Sequence, residues 1–279
     1  MANGADNIVI RELTTLQDLQ AMQKLEGLVW QMNSPIPLHQ TLTVAKNGGI
    51  MLGAFQRDLM IGMLYSFPGY HNPEIYICSH MLGIREGWRH QGLGERLKQA
   101  QAELAKTRGY SMITWTYDPL ETANGYLNIG KLGAVCSTYI ADCYGDMPDV
   151  INQGLPSDRF QVEWWIHQPK PVLPQGVPAT LLQWQQGSNR LPQPVKSSEV
   201  INPEQSVVSV AVPADFQEIK RQDNGLAKAW REITRQVFTN SFAAGWVVAG
   251  FRKSGVVHEY LLCKRRELVL PQAPWKRGE

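Results

Sequence analysis

Six consecutive residues, Arg89 to Gly94 (Arg-His-Gln-Gly-Leu-Gly), have the composition of an anion-binding turn. Gly92 and Gly94 carry no Cβ, so phosphate oxygens could come within hydrogen-bond distance of the main chain. Arg89 and His90 could add side-chain donors. If a helix begins at this turn, its first N–H groups have no internal partner and lie at the positive end of the helix dipole. The turn therefore predicts a site for a phosphorylated ligand.

Two common phosphate-binding motifs do not fit this turn. The mononucleotide P-loop, Gly-x-x-x-x-Gly-Lys-Ser/Thr, does not occur in the chain. The dinucleotide motif requires a third glycine three residues after Gly94, where Leu97 stands. The pattern that remains is Arg-x-x-Gly-x-Gly.

The segments on either side of the turn would hold it in place. The run Glu74–Ile84 predicts a strand before it, and Gly92–Arg108 predicts an amphipathic helix after it, which Gly109 ends as a left-handed cap. The helix presents a narrow apolar stripe of Leu93, Leu97, Ala100 and Leu104. Three basic residues fall outside this stripe and are expected to face away from the core: Arg96, Lys98 and Lys106.

Further elements can be predicted along the chain from periodicity and turn residues. The order is β-α-α-β-β-β-α-β-α-β-β, and the turn at Arg89–Gly94 follows the fourth strand. The other segments are strands at Asn7–Arg11, Ile50–Phe55, Leu59–Phe67, Ser111–Thr116, Ala134–Cys143 and Phe160–His167, with helices at Thr14–Val29, before Asn47, and at Glu121–Leu132.

This order, together with three short stretches, resembles the GCN5-related N-acetyltransferase (GNAT) superfamily over about Asn7 to His167. The stretches are Ile8–Leu13, Arg89–Gly94, and Lys131-Leu132-Gly133-Ala134, where the family usually has a Lys-Leu-Gly-Phe-like end to its fourth helix. Other stretches resemble a little-characterised bacterial branch of that superfamily: Thr116–Leu120, Asn128–Gly133 and Gly154–Arg159. The resemblance implies an α/β (α+β) fold with a mixed, mostly antiparallel twisted sheet flanked by helices.

The resemblance also implies a co-substrate, acetyl-CoA or another acyl-CoA, and a place for it. Pantetheine would lie against the free edge of the fourth strand, held by main-chain groups near Leu82 and Ile84. A backbone N–H near Leu82 would stabilise the thioester oxyanion. The pyrophosphate would lie on the turn, so that the remaining cofactor-binding residues are Arg89, His90, Gln91, Gly92, Leu93 and Gly94.

Acyl transfer to an amine also needs a base and an acid for the thiolate. The family often takes the acid from a tyrosine in the fourth helix, but Ile129 stands at that position here. Tyr126 and Asn128 on the same helix could substitute, as could Tyr139 on the next strand. His80 is the nearest titratable group on the fourth strand and could be the base, or it could bond a neighbouring backbone group. Asp118 after the fifth strand could take part, or it could be the turn residue before Pro119.

The rest of the chain divides at a region rich in proline and glutamine. Residues 1–167 are expected to form the acyl-CoA-binding domain, 168–205 an extended linker, and 206–279 a small α/β subdomain. This tail contains strand-helix-strand-strand and could be a degenerate half-repeat of the first domain or a cap packed on it. It could also form the interface of a homodimer.

Charge, hydropathy and cysteine spacing exclude several classes of partner and ligand. A net charge of +2 and a pI of about 8.3 give no broad basic field, so nucleic acid is not an expected partner. No run approaches the roughly 18 apolar residues of a membrane span, and the N-terminus has no signal-peptide pattern. The four cysteines lack metal-ligand spacing, which favours a reduced cytoplasmic protein without metal. We therefore expect an N-acyltransferase acting on a small-molecule amine; the alternative is a non-catalytic acyl-CoA binding or sensing protein.

Overall fold

A computed structural model describes residues 8–31, 35–145, 154–196 and 205–276. The chain forms two compact units. The first comprises Met1–Trp115, Trp165–His167 and Gln272–Glu279, and the second comprises Thr116–Trp164 and Gln168–Pro271. The limits of these units do not coincide with the division that we expected at residues 167 and 205.

The described part of the first unit contains five strands with helices on both faces. The strand order is β1-β2-β3-β4-β5, antiparallel except for the parallel pair β4 and β5. Its elements are β1 (Ile8–Glu12), α1 (Leu16–Trp30), α2 (Leu38–Lys46), β2 (Ile50–Gln56), β3 (Leu59–His71), β4 (Glu74–Ile84), α3 (Leu93–Thr107) and β5 (Met112–Tyr117), whose last two residues belong to the second unit. Asn7, where we expected the first strand to begin, lies outside the described residues.

Helix α1 begins at a capping box. The Thr15 hydroxyl accepts from Asp18 N at 3.1 Å, and Asp18 Oδ2 accepts from Thr15 N at 3.2 Å. Arg11 of β1 donates to Asp18 Oδ1 at 2.7 Å and lowers the pKa of that carboxyl from 3.8 to about 2. The helix then packs Leu19, Met22 and Leu25 against the sheet.

The two faces of this sheet carry different helices. Met63 and Tyr65 of β3 lie in the core cluster formed with α1, which α2 residues also contact. A Cβ added to Gly62 would instead meet Ile84, Leu93 and Leu97, so the face that includes Gly62 packs against α3. We refer to these as the α1 face and the α3 face. They alternate along each strand because successive side chains point to opposite sides.

The described part of the second unit contains seven strands in the order β7-β6-β11-β12-β10-β8-β9. Only the β8–β10 pair is parallel among its recorded ladders. Its elements are α4 (Thr122–Gly125), a π-helical segment (Tyr126–Lys131), β6 (Val135–Ile140), β7 (Arg159–Trp165), β8 (Ala179–Gln186), β9 (Pro192–Lys196), β10 (Val207–Pro213), α5 (Phe216–Gln222), α6 (Asn224–Ala243), β11 (Trp246–Arg252) and β12 (Val257–Lys264). A cluster of aromatic rings around Phe160, Phe238 and Tyr260 fills its core.

The region that we expected to be a linker contains two strands, β8 and β9. β9 lies at the end of the strand order, so Pro192 and Pro194 need no backbone donor on its outer side. Residues 197–204 of this region lie outside the described residues. Along 8–31, 35–145, 154–196 and 205–276, no helix is long and apolar enough to cross a membrane.

Candidate active site

The turn between β4 and α3 presents main-chain amides with an open approach. A 3-10 turn covers Glu86–Trp88, and α3 follows Gly92, which is its N-cap residue with φ of 76° and supplies no side-chain acceptor. A Cβ placed on Gly92 would meet nothing within 4 Å. The N–H groups of Leu93 and Gly94 have no acceptor within their own helix and lie at the positive end of its dipole. This arrangement suits a phosphate group.

Side chains of the turn connect it to the end of β4. Arg89 Nε donates to Ile84 O at 3.2 Å, and Gln91 Nε2 donates to Gly87 O at 3.3 Å. Both side chains are exposed, as is His90, whose φ of 62° makes it the second left-handed residue of the turn beside Gly92. The Arg89 guanidinium and the polar side chains of His90 and Gln91 therefore lie next to the open amides.

Strand β4 contains a β-bulge at His80. Tyr65 of β3 pairs with Met81, while the next residue, Ser66, pairs with Ser79, so His80 is the extra residue. Met81 packs on the cluster formed with α1, and the His80 ring contacts Tyr65 and Phe67. Two successive residues thus lie on the α1 face, and the alternation of β4 changes at this point.

The outer edge of β4 is free beyond the bulge. Its pairing with β5 is recorded only for Ile77 with Ile113 and Cys78 with Thr114, although β4 continues to Ile84. Within the described part of the first unit, no strand pairs with this edge from Ser79 to Ile84. Leu82 and Ile84 lie on this free edge, which leads directly to the turn at Arg89–Gly94.

The His80 ring lies in a partly apolar environment. Its centroid is 5.8 Å from both the Tyr65 and the Phe67 ring. Burial of the ring lowers the pKa of the imidazole below its usual 6.5, although part of the residue stays exposed. Because the neutral form is the one that accepts a proton, His80 could act as a base at neutral pH.

Lys98 is buried, and the expectation that it faces away from the core is wrong. Lys98 and Gln101 are 2% and 0% exposed, whereas Ala100 and Leu104 are only half-buried. The buried face of α3 runs through Leu93, Leu97, Lys98, Gln101, Ala102 and Ala105. The stripe predicted from the apolar residues alone is rotated away from this buried face, because two of the residues that face the sheet are polar. Their spacing of three residues was the signal in the sequence.

Asp118 forms a buried ion pair in the second unit. Its two oxygens accept from Arg231 Nη1 and Nη2 of α6 at 2.8 and 2.5 Å, and Oδ1 also accepts from Leu120 N at 2.9 Å. The Arg159 guanidinium lies 3.9 Å away. Such bidentate pairing holds the carboxylate in one orientation. The role that this geometry supports most directly is to fix the turn before Pro119 to α6.

Tyr126 and Asn128 lie in the π-helical segment of the second unit. The Lys253 ammonium is 3.7 Å from the Tyr126 ring centroid, a cation–π distance. Asn128 is buried, and its main-chain carbonyl accepts a hydrogen bond from Ala134 N at 3.0 Å. Ile129, directly after Asn128, is fully buried. His80 belongs to the first unit, and the other three catalytic candidates belong to the second.

Tyr139, the further candidate for the acid, also belongs to the second unit and is tied to a buried carboxylate. Its hydroxyl donates to Asp158 Oδ2 at 2.5 Å, and Arg235 Nε and Nη2 donate to the same carboxylate at 2.8 and 2.7 Å. Burial and the charge of Asp158 raise the pKa of the Tyr139 hydroxyl far above its usual value. A hydroxyl in this position is a weak proton donor.

Comparison with known proteins identifies one domain. No curated protein matches the chain in sequence. Solved structures that it resembles include the ribosomal-protein-S18-alanine N-acetyltransferase from Escherichia coli, with 15% identity and a TM-score of 0.47 over 58% of this chain and 96% of that chain. A GNAT family acetyltransferase from Elizabethkingia anophelis with acetyl-CoA bound has 20% identity and a TM-score of 0.44 over 57% of this chain and 99% of that chain. The IAA acetyltransferase from Bacillus cereus ATCC 14579 has 18% identity and a TM-score of 0.43 over 56% of this chain and 98% of that chain.

The match of a family model carries the assignment. The model of the acetyltransferase (GNAT) family matches residues 16–128, from the start of α1 to the π-helical segment, and includes the bulged strand and the turn. This part of the chain therefore contains a GNAT acetyltransferase domain.

Proposed function

We propose that this protein transfers an acyl group from an acyl-CoA to the amine of a small molecule. The observation that carries the proposal is the continuity of three features in one unit. The free edge of β4 begins beside the bulge at His80, continues to Ile84, and leads to the open amides at the start of α3. Acetyl-CoA is the simplest donor of this class.

The residues of the turn fit the diphosphate of such a donor. The N–H groups of Gly92, Leu93 and Gly94 offer donors at a helix N-terminus, and the open space at Gly92 leaves room for phosphate oxygens. Arg89 and His90 are exposed beside them and add cationic or neutral donors. Gln91 lies in the same turn and contributes its main-chain N–H.

The free edge of β4 fits the amide-bearing arm of the donor. Main-chain N–H and C=O groups at an unpaired strand edge can bond an extended ligand as they would bond a further strand. Leu82 and Ile84 supply such groups between the bulge and the turn. A backbone N–H near Leu82 would also stabilise negative charge on the thioester oxygen during transfer.

His80 is the proposed base. It would accept a proton from the amine as the nitrogen–carbon bond forms and the carbon–sulfur bond breaks. The departing thiolate takes up a proton, for which the Tyr126 hydroxyl is the candidate; Asn128, whose amide is not an acid, would only donate a hydrogen bond to the sulfur. Asp118 would keep these parts of the second unit in place through its pair with Arg231.

A cationic amine suits the surroundings of His80. Glu26 of α1 is buried on the same face, and its Oε1 accepts from Ile36 N at 3.0 Å. Burial and, to a smaller extent, the charge of Glu26 raise the pKa of Tyr65. Since Tyr65 contacts His80, a carboxylate stands near the proposed base. Carboxylates bind ammonium groups well, which supports a small, positively charged acceptor.

One observation favours a second candidate, a non-catalytic acyl-CoA binding or sensing protein. Ile129 stands where the family often has its tyrosine acid, and it is fully buried. The Asp118 carboxylate, which could otherwise take part in catalysis, is also held in an ion pair with Arg231. A chain that has lost its acid could still bind the donor.

Two measurements separate these candidates. Isothermal titration with acetyl-CoA and with CoA should show binding under both, and no heat at millimolar ligand would rule out both. Release of free thiol from acetyl-CoA should depend on an added amine if the protein is an enzyme. A screen of amino acids, polyamines and amino sugars that releases no thiol, while binding persists, would favour the sensing protein.

A further inference from the structure

The point where β4 and β5 separate in the first unit is occupied by a lysine. The last recorded pair of the two strands is Cys78 with Thr114, and the next residues are Ser79 and Trp115. Lys98 Nζ of α3 lies 2.7 Å from Ser79 Oγ and 3.5 Å from the Trp115 ring centroid. The lysine therefore closes the inner end of the free β4 edge on the α3 face.

A second polar side chain of α3 completes this group. Ser79 Oγ donates to Gln101 Oε1 at 3.2 Å, and Gln101 is fully buried. Its Nε2 has no hydrogen-bond partner in the described part of the chain. We call Ser79, Lys98 and Gln101 the polar end wall.

The polar end wall has donors in excess of acceptors. Ser79 Oγ and Gln101 Oε1 already accept hydrogen bonds, whereas the Gln101 amide nitrogen and the lysine amine retain N–H groups. Among the described residues, no carboxylate forms an ion pair with Lys98. Buried donors without acceptors are costly, and leucine or methionine would fill the same space without that cost.

The charge state of Lys98 also responds to an anion. Burial lowers the pKa of its amine well below 10.5. The amine contacts the Ser79 hydroxyl and the Trp115 ring, neither of which carries a full negative charge. A carboxylate placed beside Nζ would favour the charged form and would accept hydrogen bonds from Lys98 and Gln101 together. Acetyl and longer alkyl groups offer no such acceptor.

We propose that the polar end wall selects a donor whose acyl group ends in a carboxylate, that is, the CoA thioester of a dicarboxylic acid. The proposal rests on the proposed function, because it requires the acyl group to reach the inner end of the β4 edge. Ser79 would orient Lys98, and Lys98 and Gln101 would bind the carboxylate.

Binding of matched CoA thioesters tests this selection without knowledge of the acceptor. Malonyl-CoA and propionyl-CoA have acyl groups of equal carbon number, as do succinyl-CoA and butyryl-CoA, and the members of each pair differ in a terminal carboxylate. Isothermal titration should give a Kd about tenfold lower for the carboxylated member of at least one pair. Equal or weaker binding of both carboxylated donors would overturn the proposal.

Two variants assign the preference to the end wall. Lys98→Met keeps a similar length without donors, so it should remove or reverse the preference while propionyl- and butyryl-CoA still bind. Gln101→Glu adds a carboxylate beside the amine, which should compete with the ligand and abolish the preference by a different route. A preference that survives both changes would show that it arises elsewhere, and would overturn the proposal.

The outcomes distinguish failure of this inference from failure of the proposed function. If acetyl-, propionyl- and butyryl-CoA bind but the carboxylated donors bind no more tightly, only the proposed preference for a terminal carboxylate is wrong. If no CoA thioester binds the wild-type chain, the proposed function fails and the selection fails with it.

Discussion

The amine of Lys98 donates a hydrogen bond to the hydroxyl of Ser79 across 2.7 Å, in the interior of the first unit. Helix α3 thus contributes two different groups to the proposed site. Its first turn presents open amides to solvent, and its second turn places a buried amine at the inner end of the β4 edge. The predictions below test these two parts and the groups around them separately.

Gly92→Asp should abolish binding of CoA by placing a carboxylate against the diphosphate. We expect the affinity to fall at least about tenfold, or roughly 1.4 kcal/mol. Gly255→Asp is a matched control, because Gly255 also has a positive φ, of 50°, and open space around its Cβ position. Isothermal titration would measure both variants; equal losses in the two would show that the effect of Gly92→Asp is not local to the turn.

His80→Ala should lower kcat/KM by about 10²- to 10⁴-fold, the range of general-base contributions. The wild-type rate should fall with decreasing pH below 6.5, because the lowered pKa of His80 delays protonation of the base. This acidic limb should be missing in the variant. His39→Ala, at an exposed position on α2, is the control. An acidic limb that is unchanged in His80→Ala would remove His80 as the base.

Breaking the Asp118–Arg231 pair should destabilise the protein. Because Arg231 is 3% exposed and Asp118 11% exposed, Arg231→Met alone should cost about 3 kcal/mol, the lower end for a broken buried pair, since Arg159 remains 3.9 Å from the carboxylate. Replacing both residues, Asp118→Leu with Arg231→Met, should recover much of that loss. Urea denaturation would measure both variants, with Arg221→Ala in the exposed pair with Glu218 as the control that leaves stability unchanged.

The double variant also distinguishes a structural role of Asp118 from a catalytic role. If Asp118 only fixes the turn, the double variant should retain turnover in proportion to its folded fraction. A folded double variant that has lost turnover would instead support Asp118 as a catalytic residue.

Lys98→Met should stabilise the ligand-free protein at neutral pH. Burial lowers the pKa of the amine well below 10.5 in the folded chain, so between the folded and the unfolded pKa the amine is neutral in the folded chain and charged in the unfolded chain. The unfolded state therefore binds one more proton, and wild-type stability should rise with pH up to about 10.5, by at most about 1.4 kcal/mol per pH unit. The variant should lack this contribution. Urea denaturation at several pH values would show it, and parallel curves of stability against pH for the two proteins would contradict a lowered pKa of the buried amine.

The sequence was sufficient for the elements that follow local rules. The strand before Arg89, the helix after it and the left-handed Gly109 were all predictable, since periodicity and glycine positions decide them. The three strands and the long helix of the tail, β10, α6, β11 and β12, follow the same rules.

Long-range partners could not be predicted in this way. Arg231 lies 113 residues after Asp118, and no local pattern joins them. The sequence predicts that Lys98 lies at the surface, because charged residues usually occupy the exposed side of a helix. The face it occupies is set by packing against β4 and β5, which outweighs the preference of a single residue. The prolines of β9 indicated a linker because their tolerance at a sheet edge depends on strand order.

A crystal structure of the chain with CoA bound would test the central claim most directly. We predict diphosphate oxygens about 3 Å from the N–H groups of Gly92, Leu93 and Gly94, with the pantetheine arm alongside Leu82 and Ile84. A diphosphate bound elsewhere, with the β4 edge from Ser79 to Ile84 paired to another strand, would contradict it.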